Sequence, residues 1–156
     1  MLMQCDATAL EIRVAGYLSQ DPVLLDELVR GVDIHSDNQE RFNLPTRLIA
    51  KTFVFRLLYG GSAYSYAHDP EFMGISKSEK YWDKVIDAYY DKYKGVKLWH
   101  NKLIREAVTT GKLVAPTGRE YKFLKYNGNY KDTQIKNYIV QGTGADIMAL
   151  ARVSFY

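Results

Sequence analysis

Arg47, Lys51, Phe55 and Tyr59 follow one another at every fourth residue in the segment from Arg47 to Gly60. On a helix that spacing lays the four side chains along one slowly drifting stripe, with cations at the N-terminal end and aromatics at the C-terminal end. A nucleoside triphosphate has the same polarity, phosphates at one end and a stackable base at the other. The helix N-terminus adds positive dipole where the phosphates would lie. The spacing also fits a second reading, in which Phe55 and Tyr59 belong to the core and Arg47 and Lys51 form its solvated border.

A second constellation lies at the start of the chain. Residues 2–5 are apolar or small and run into Asp6, which reads as a short strand ending at a carboxylate. Glu11 and Arg13 follow at once. A carboxylate fixed at a strand end suits a hard divalent cation with oxygen ligands. An aspartate there equally suits the N-cap of the next helix. Other candidates are weaker. His35, His68 and His100 lack the spacing of a zinc site. Cys5, beside Asp6 in a strand, reads as a buried inert thiol. Gly60-Gly61 has no Lys-Ser/Thr after it and ends a helix instead of starting one, unlike a phosphate-binding P-loop.

Taken together, these residues resemble the motifs of the family A DNA polymerases, the DNA polymerase I type, in a phage-like form. Asp6 with Glu11 and Arg13 is similar to the family's first motif. Arg47, Lys51, Tyr59 and Gly60 are similar to its nucleotide-binding helix, and Asp33-Ile34-His35 to the Asp-Ile-His that precedes it. Asn137 with Gln141-Gly142-Thr143-Gly144-Ala145-Asp146 is similar to its Asn-x3-Gln-Gly-Thr-x-Ala-Asp segment. Order and spacing agree from Asp6 to Asp146, and four ordered motifs are specific where any one is not.

The resemblance implies template-directed DNA synthesis, with primer-template DNA and dNTP as partners. Asp6 would hold the Mg²⁺ ions of a two-metal site. Arg47, Lys51 and His35 would surround the triphosphate, with Lys51 able to protonate the leaving group. Phe55 would pack on the nucleotide's sugar and base. Glu11, with Tyr59 beside it, would exclude a ribose 2′-hydroxyl. Asn137 and Gln141 would reach the minor groove of the new pair, with Arg13 along the same primer-template track.

The sequence also departs from the family. Arg56 stands where many relatives carry glycine, and Thr133 where many carry arginine. The His-Asp-Glu segment that brings the second metal-binding aspartate is not among these residues, nor is the thumb. Residues 1–21 read as the palm-proximal first motif, 22–125 as fingers, and 126–156 as the return towards the palm. On this reading the chain is an incomplete catalytic module, inactive alone, that needs a complementing segment carrying the second aspartate. Two rivals are a non-catalytic nucleic-acid-binding protein with a fingers fold and a fragment of a single-subunit RNA polymerase. Glu11 and the Gln-Gly-Thr segment count against the latter.

The elements that must position these residues are mostly helical. Helices are predicted from Thr8 to Leu18, Pro22 to Val29, Ile34 to Phe42 capped by Asp33, and Arg47 to Tyr59 capped by Thr46. Residues 62–75 read as loop or short helix. An amphipathic helix runs from Lys77 to Tyr93, Gly95 interrupts it, and another follows from Val96 to Thr109. Leu113–Ala115 and Tyr121–Phe123 flank Pro116-Thr117-Gly118 as a hairpin, and Asn127-Gly128-Asn129 is a turn. Residues 131–155 form one helix or a pair, with Gly142 and Gly144 against continuity. The fold class is therefore mainly α with a minor β part (α+β), fingers helices plus part of a palm.

Bulk properties set the limits. The chain has 156 residues, 47 % hydrophobic and 25 % charged, ordinary for a globular core. No apolar run reaches the roughly 18 residues of a membrane helix, and no signal peptide stands at the start. A single cysteine fits a reducing cytoplasm. Net charge is only +3, but residues 77–136 carry 14 Lys/Arg against 7 Asp/Glu, interleaved with tyrosines. That suits a phosphate backbone with bases to stack on, and equally a well-solvated helical face.

Overall fold

The structure is a computed structural model and describes residues 9–154. The strand expected over residues 2–5, with Cys5 and Asp6, lies outside them. In chain order the described elements are α1 (Leu10–Ser19), α2 (Pro22–Val29), α3 (Ile34–Arg41), α4 (Arg47–Leu58), α5 (Ala63–Ala67), α6 (Pro70–Met73), α7 (Glu79–Lys92), α8 (Lys94–Thr110), β1 (Lys112–Val114), β2 (Glu120–Lys122) and α9 (Asp132–Val153). A mainly α architecture with one small antiparallel hairpin is thus what the sequence folds into.

Most of these helices start where a side chain can take up the first free backbone amides. Asp33 accepts from His35 N and Ser36 N, Thr46 from Ile49 N, and Ser78 from Tyr81 N. Several boundaries differ from expectation by a residue or two. α1 begins at Leu10, after Ala9 in a left-handed conformation with φ 53°. β1 and β2 each sit one residue earlier than the expected strands, with Leu113 facing Tyr121. Gly95 does not interrupt a helix; the break is at Tyr93, and α8 runs through Gly95.

The last difference has a long-range cause. Asp21 is buried, and its two carboxylate oxygens serve two helices. Oδ1 accepts from Val23 N at 3.0 Å and Leu24 N at 2.9 Å, while Oδ2 accepts from Gly95 N at 2.6 Å and Val96 N at 3.3 Å. A methyl group on residue 95 would stand 2.7 Å from Asp21 Cα, so glycine lets the two backbones approach.

The core is aromatic. Phe53, Tyr66, Phe72, Trp82 and Tyr89 are fully buried and pack ring against ring, with centroids 5.1–6.2 Å apart between Phe53 and Tyr66, Trp82 or Tyr89. Their polar tips are mostly used: Tyr66 donates to Phe53 O at 2.9 Å and Trp82 Nε1 to Ser76 O at 2.9 Å. A buried ionic knot ties α7 to α2 and α3, where Lys92 meets Glu27 at 3.0 Å and Asp37 at 2.6 Å. α1 lies in the middle, touching α2, α4, α8 and α9.

α9 is continuous through Gly142 and Gly144, so the two glycines mark contacts and not a break. Gly144 faces Leu10 of α1, where an added methyl would sit 3.4 Å from Cδ2, and Gly142 receives the Tyr121 side chain.

Candidate active site

The stripe on α4 runs from exposed cations to aromatics at the edge of the core, where Tyr59 packs against it. Ala50, Phe53, Val54, Leu57 and Leu58 are the buried face of that helix. Arg47 and Lys51 are exposed, and Phe55 and Tyr59 are half-buried at its flank. Lys51 Nζ stands 5.7 Å from the Phe55 ring, and the Phe55 and Tyr59 rings are 6.4 Å apart. The cations of the stripe are therefore accessible, while its aromatics are shared between the flank of the core and the surface.

The cationic end of the stripe is ordered by α3. Arg47 makes a two-pronged contact with Asp33, Nε to Oδ2 at 2.8 Å and Nη2 to Oδ1 at 3.1 Å. The Arg47 guanidinium holds the Asp33 carboxyl far below the usual carboxylate range. Asp33 is at the same time the α3 cap. His35, two residues on, is buried with its ring 5.7 Å from that of Phe55 and its Nδ1 without a partner. Burial pushes the His35 pKa down, and the charges of Arg47 and Lys51 push it further, against the opposing pull of Asp33. His35 is therefore a neutral imidazole at pH 7 with an unsatisfied polar edge. A cleft of about 230 Å³ brings Arg13 of α1 to the same place as Asp33, His35 and Arg47.

The aromatic end joins three elements distant in sequence. Tyr59 closes α4; burial raises its phenol pKa, the Glu11 carboxylate adds to this, and a hydrogen bond with Gln141 works the other way. Glu11 and Gln141 also line one cleft of about 250 Å³ with Leu10 and Gly144. Asn137 lies one turn before Gln141 on α9, its Oδ1 buried and unpartnered. The site residues proposed from sequence thus fall into two linked groups. Arg47, Lys51, His35 and Arg13 stand at one end of α4, and Glu11, Tyr59 and Gln141 at the other. Asp6 lies outside the described residues.

The two departures sit on the neighbouring face. Arg56 leaves α4 between the stripe and the core, pairs with Asp69 at 2.8 Å and lies over Phe72 at 4.9 Å. It borders a cavity of about 500 Å³ shared with Phe55, Tyr59 and Thr133. Asp146 is held by Arg119 and Thr117 at the hairpin turn. Sequence reasoning took Asp33 for a cap and missed that it also orients Arg47. The available signal was an acid shortly before an exposed arginine, too common to single out.

A sequence model described as DNA polymerase family A matches residues 1–156. The chain belongs to DNA polymerase family A. This family A chain is similar to DNA polymerase I of Aquifex aeolicus, 28 % identical over 96 % of the chain and 27 % of the relative. It is 29 % identical to DNA polymerase I of Caldicellulosiruptor bescii over 100 % of the chain and 19 % of that protein. With the thermostable DNA polymerase I of Thermus aquaticus the figures are 28 %, 100 % and 20 %. It therefore spans about a fifth to a quarter of the length of these relatives. Its fold matches the solved POL domain of Pol1 from M. smegmatis, in complex with DNA primer-template and dNTP, with a TM-score of 0.79 at 24 % identity. That match covers 92 % of the chain and 27 % of the solved one. Among the described residues of this family A chain, no three of His, Cys, Asp and Glu gather as a metal site would require. Nor is any described helix long and apolar enough to cross a membrane.

Proposed function

We propose that this chain is the nucleotide-selecting part of a DNA-directed DNA polymerase, which transfers a nucleotide from dNTP to a primer 3′-hydroxyl. One observation carries the reading: the α4 stripe is separate from that helix's fully buried face, with exposed cations at one end and, at the other, Tyr59 between Glu11 and Gln141. Membership of family A supports it, as does likeness to a domain solved with primer-template and dNTP.

Each side chain has a task that follows from its place. Arg47, already aimed by Asp33, and Lys51, on a long flexible stem, bind the triphosphate at the α4 N-terminus. His35 lines the same cleft as Arg47, and a turn of its ring would bring the buried, unpartnered Nδ1 to a phosphate oxygen. Lys51 can also give a proton to the departing pyrophosphate. Phe55 packs on sugar and base. Glu11, one wall of the cleft it shares with Gln141, crowds the position of a 2′-hydroxyl, with Tyr59 alongside. Gln141 and Asn137 meet the minor-groove edge of the new pair, and Arg13 the backbone beyond. Mg²⁺, carried by Asp6 on the resemblance to the family, would supply charge neutralisation. The described residues bind and orient. A complementing segment of the polymerase domain is the proposed protein partner.

The test is calorimetric titration of the chain with a deoxynucleoside triphosphate and with the parent nucleoside. The triphosphate should bind more tightly. Arg47→Ala and Lys51→Ala should each weaken it several-fold without touching nucleoside binding. Equal affinity for triphosphate and nucleoside would overturn the reading of the stripe.

A further inference from the structure

α4 carries a second arginine, held in the same manner as the first. We propose that Arg56 is a positioning residue for the base end of the stripe: tied to Asp69 ahead of α6, it fixes the turn of α4 that presents Phe55 and Tyr59 to a nucleotide. The assignment rests on the polymerase reading above and gives Arg56 no contact with the ligand.

Asp69 repeats what Asp33 does. Asp33 caps α3 and takes Arg47, the first residue of α4. Asp69 caps α6, accepting from Glu71 N at 2.9 Å, and takes Arg56 near the other end of α4 at 2.8 Å. The Arg56 guanidinium keeps the Asp69 carboxyl below its usual range. What differs is the setting of the two guanidiniums. The Arg47 side chain is 54 % exposed and that of Arg56 30 %, with its Cζ 4.9 Å from the Phe72 ring centroid and 5.9 Å from that of Tyr66. Arg56 is thus committed to the protein, where Arg47 keeps donors for a ligand.

Side chains join this half of α4 to the α5–α6 segment. Thr52 Oγ1, one turn before Arg56, donates to Glu71 Oε1 at 3.2 Å, and Tyr66 donates to Phe53 O at 2.9 Å. Thr52 and Arg56 are four residues apart, so they share the face of α4 turned to α6. Of these ties the Arg56–Asp69 pair lies furthest along the helix, between Phe55 and Tyr59. Beyond it the chain leaves the helix at Gly60 and Gly61, and that exit is built on Arg56. Gly61 N donates to Arg56 O at 2.7 Å, and a methyl at residue 61 would stand 2.9 Å from Arg56 Cγ.

The consequence falls on the cavity of about 500 Å³ that Arg56 and Asp69 line together with Thr52, Phe55 and Tyr59. Both rings of the stripe border this space, and the ion pair crosses from α4 to α6 at its edge. A half-buried ring beside a cavity has few packing contacts on that side. Without the pair, Phe55 and Tyr59 would therefore settle towards the space and lose their alignment. An ion pair this exposed adds little to stability. What it supplies is direction, because a planar guanidinium laid against a ring and forked to a carboxylate has few ways to sit.

The experiment is calorimetric titration of the full chain with a deoxynucleoside triphosphate and with the parent nucleoside, the fold of each variant being checked by far-UV circular dichroism. Arg56→Gln and Asp69→Asn each remove the ion pair, and the asparagine keeps an oxygen for the α6 cap. Each should weaken nucleoside and triphosphate by the same factor, about three-fold or more, the scale of a part-exposed ion pair and the ring contact it aligns. The double variant should be no worse than either single one. Arg56→Lys, which keeps the charge, should stay within about two-fold of the parent. Lys112→Gln breaks an exposed pair with Glu120 in the hairpin and, as the control, should change neither affinity. Three results overturn the inference: unchanged nucleoside affinity in both variants, which would make the pair a stability contact alone; a larger loss for triphosphate than for nucleoside, which would put Arg56 on the phosphates; or losses that multiply in the double variant, which would mean that the two residues act apart. Failure of the polymerase reading shows separately, as triphosphate bound no better than nucleoside by the parent chain.

Discussion

Replacing Gly142 with alanine pits helix propensity against packing at one atom. An ideal Cβ there overlaps the Tyr121 hydroxyl and comes within 2.5 Å of its Cζ. Alanine in a helix interior is favoured over glycine by about 1 kcal/mol. Forcing a methyl into an occupied position costs about 1–3 kcal/mol. The net in the parent chain is therefore a loss of up to about 2 kcal/mol. In a Tyr121→Ala background the obstacle is gone and only the propensity gain of about 1 kcal/mol remains. Gly142→Ala should change sign between backgrounds, with a coupling of about 1–3 kcal/mol. Urea denaturation of the four proteins, followed by far-UV circular dichroism, measures it. If Gly142→Ala stabilises both backgrounds alike, Tyr121 does not rest on Gly142, and the hairpin is not what holds the Gln141 stretch of α9 in place.

Three more outcomes are expected. Asp21→Ala uncaps both α2 and α8 and strands buried amides, so it should cost about 2–4 kcal/mol in the same assay; Asp21→Asn, which keeps one accepting oxygen, should cost less, and equal costs would refute the double cap. Burial pushes His100, hydrogen-bonded to Tyr90 at 2.9 Å, down to about pH 3. Its folded pKa thus lies below the unfolded value of about 6.5, so the neutral form's stability is complete above that and falls with pH by about 1.4 kcal/mol per unit; His100→Gln should flatten the profile between pH 6 and roughly 4, and an unchanged slope would refute this. In a polymerase completed with the rest of its domain, Lys51→Ala should slow incorporation of every nucleotide at least ten-fold and Glu11→Ala should admit ribonucleotides, both read by primer extension; a Glu11→Ala enzyme as selective as its parent removes the gate.

What was legible in the sequence was local. Thr46 ahead of Arg47 and Asp33 ahead of Ile34 mark helix starts because a cap acts on amides two or three residues away. The stripe was legible because helical geometry alone lines up residues four apart. The misread places depend on partners far along the chain. Gly95 looked like a helix breaker, yet α8 passes through it because Asp21, distant in sequence, caps those amides and needs the missing Cβ. Gly142 and Gly144 looked like breaks for the same reason, and prove to be seats for Tyr121 and Leu10. Arg56 was visible as a departure, but its partner Asp69, expected only as loop punctuation, was not. Family motifs named Glu11, Tyr59 and Gln141, while nothing in their spacing said that α1, α4 and α9 would meet.

The two ends of the stripe are prepared differently, and Asp33 shows how. Asparagine or serine at that position would cap α3 as well as aspartate does. Only a carboxylate can also take a guanidinium fork by two charge-assisted bonds. A guanidinium carries five N–H donors, and the contact with Asp33 uses Nε and one Nη2 hydrogen, leaving the others for an incoming oxyanion. Asp33 therefore sets the direction of Arg47 without exhausting it. Lys51 instead places its exposed ammonium 5.7 Å from the Phe55 ring on a long, flexible stem; on the proposed reading it could follow a phosphate that shifts during reaction. At the far end Tyr59 is half-buried between groups from α1 and α9, where movement of either helix alters its surroundings. A fixed fork, a mobile cation and a clamped phenol along one helix suit a ligand whose phosphates must be aligned while its base is being judged.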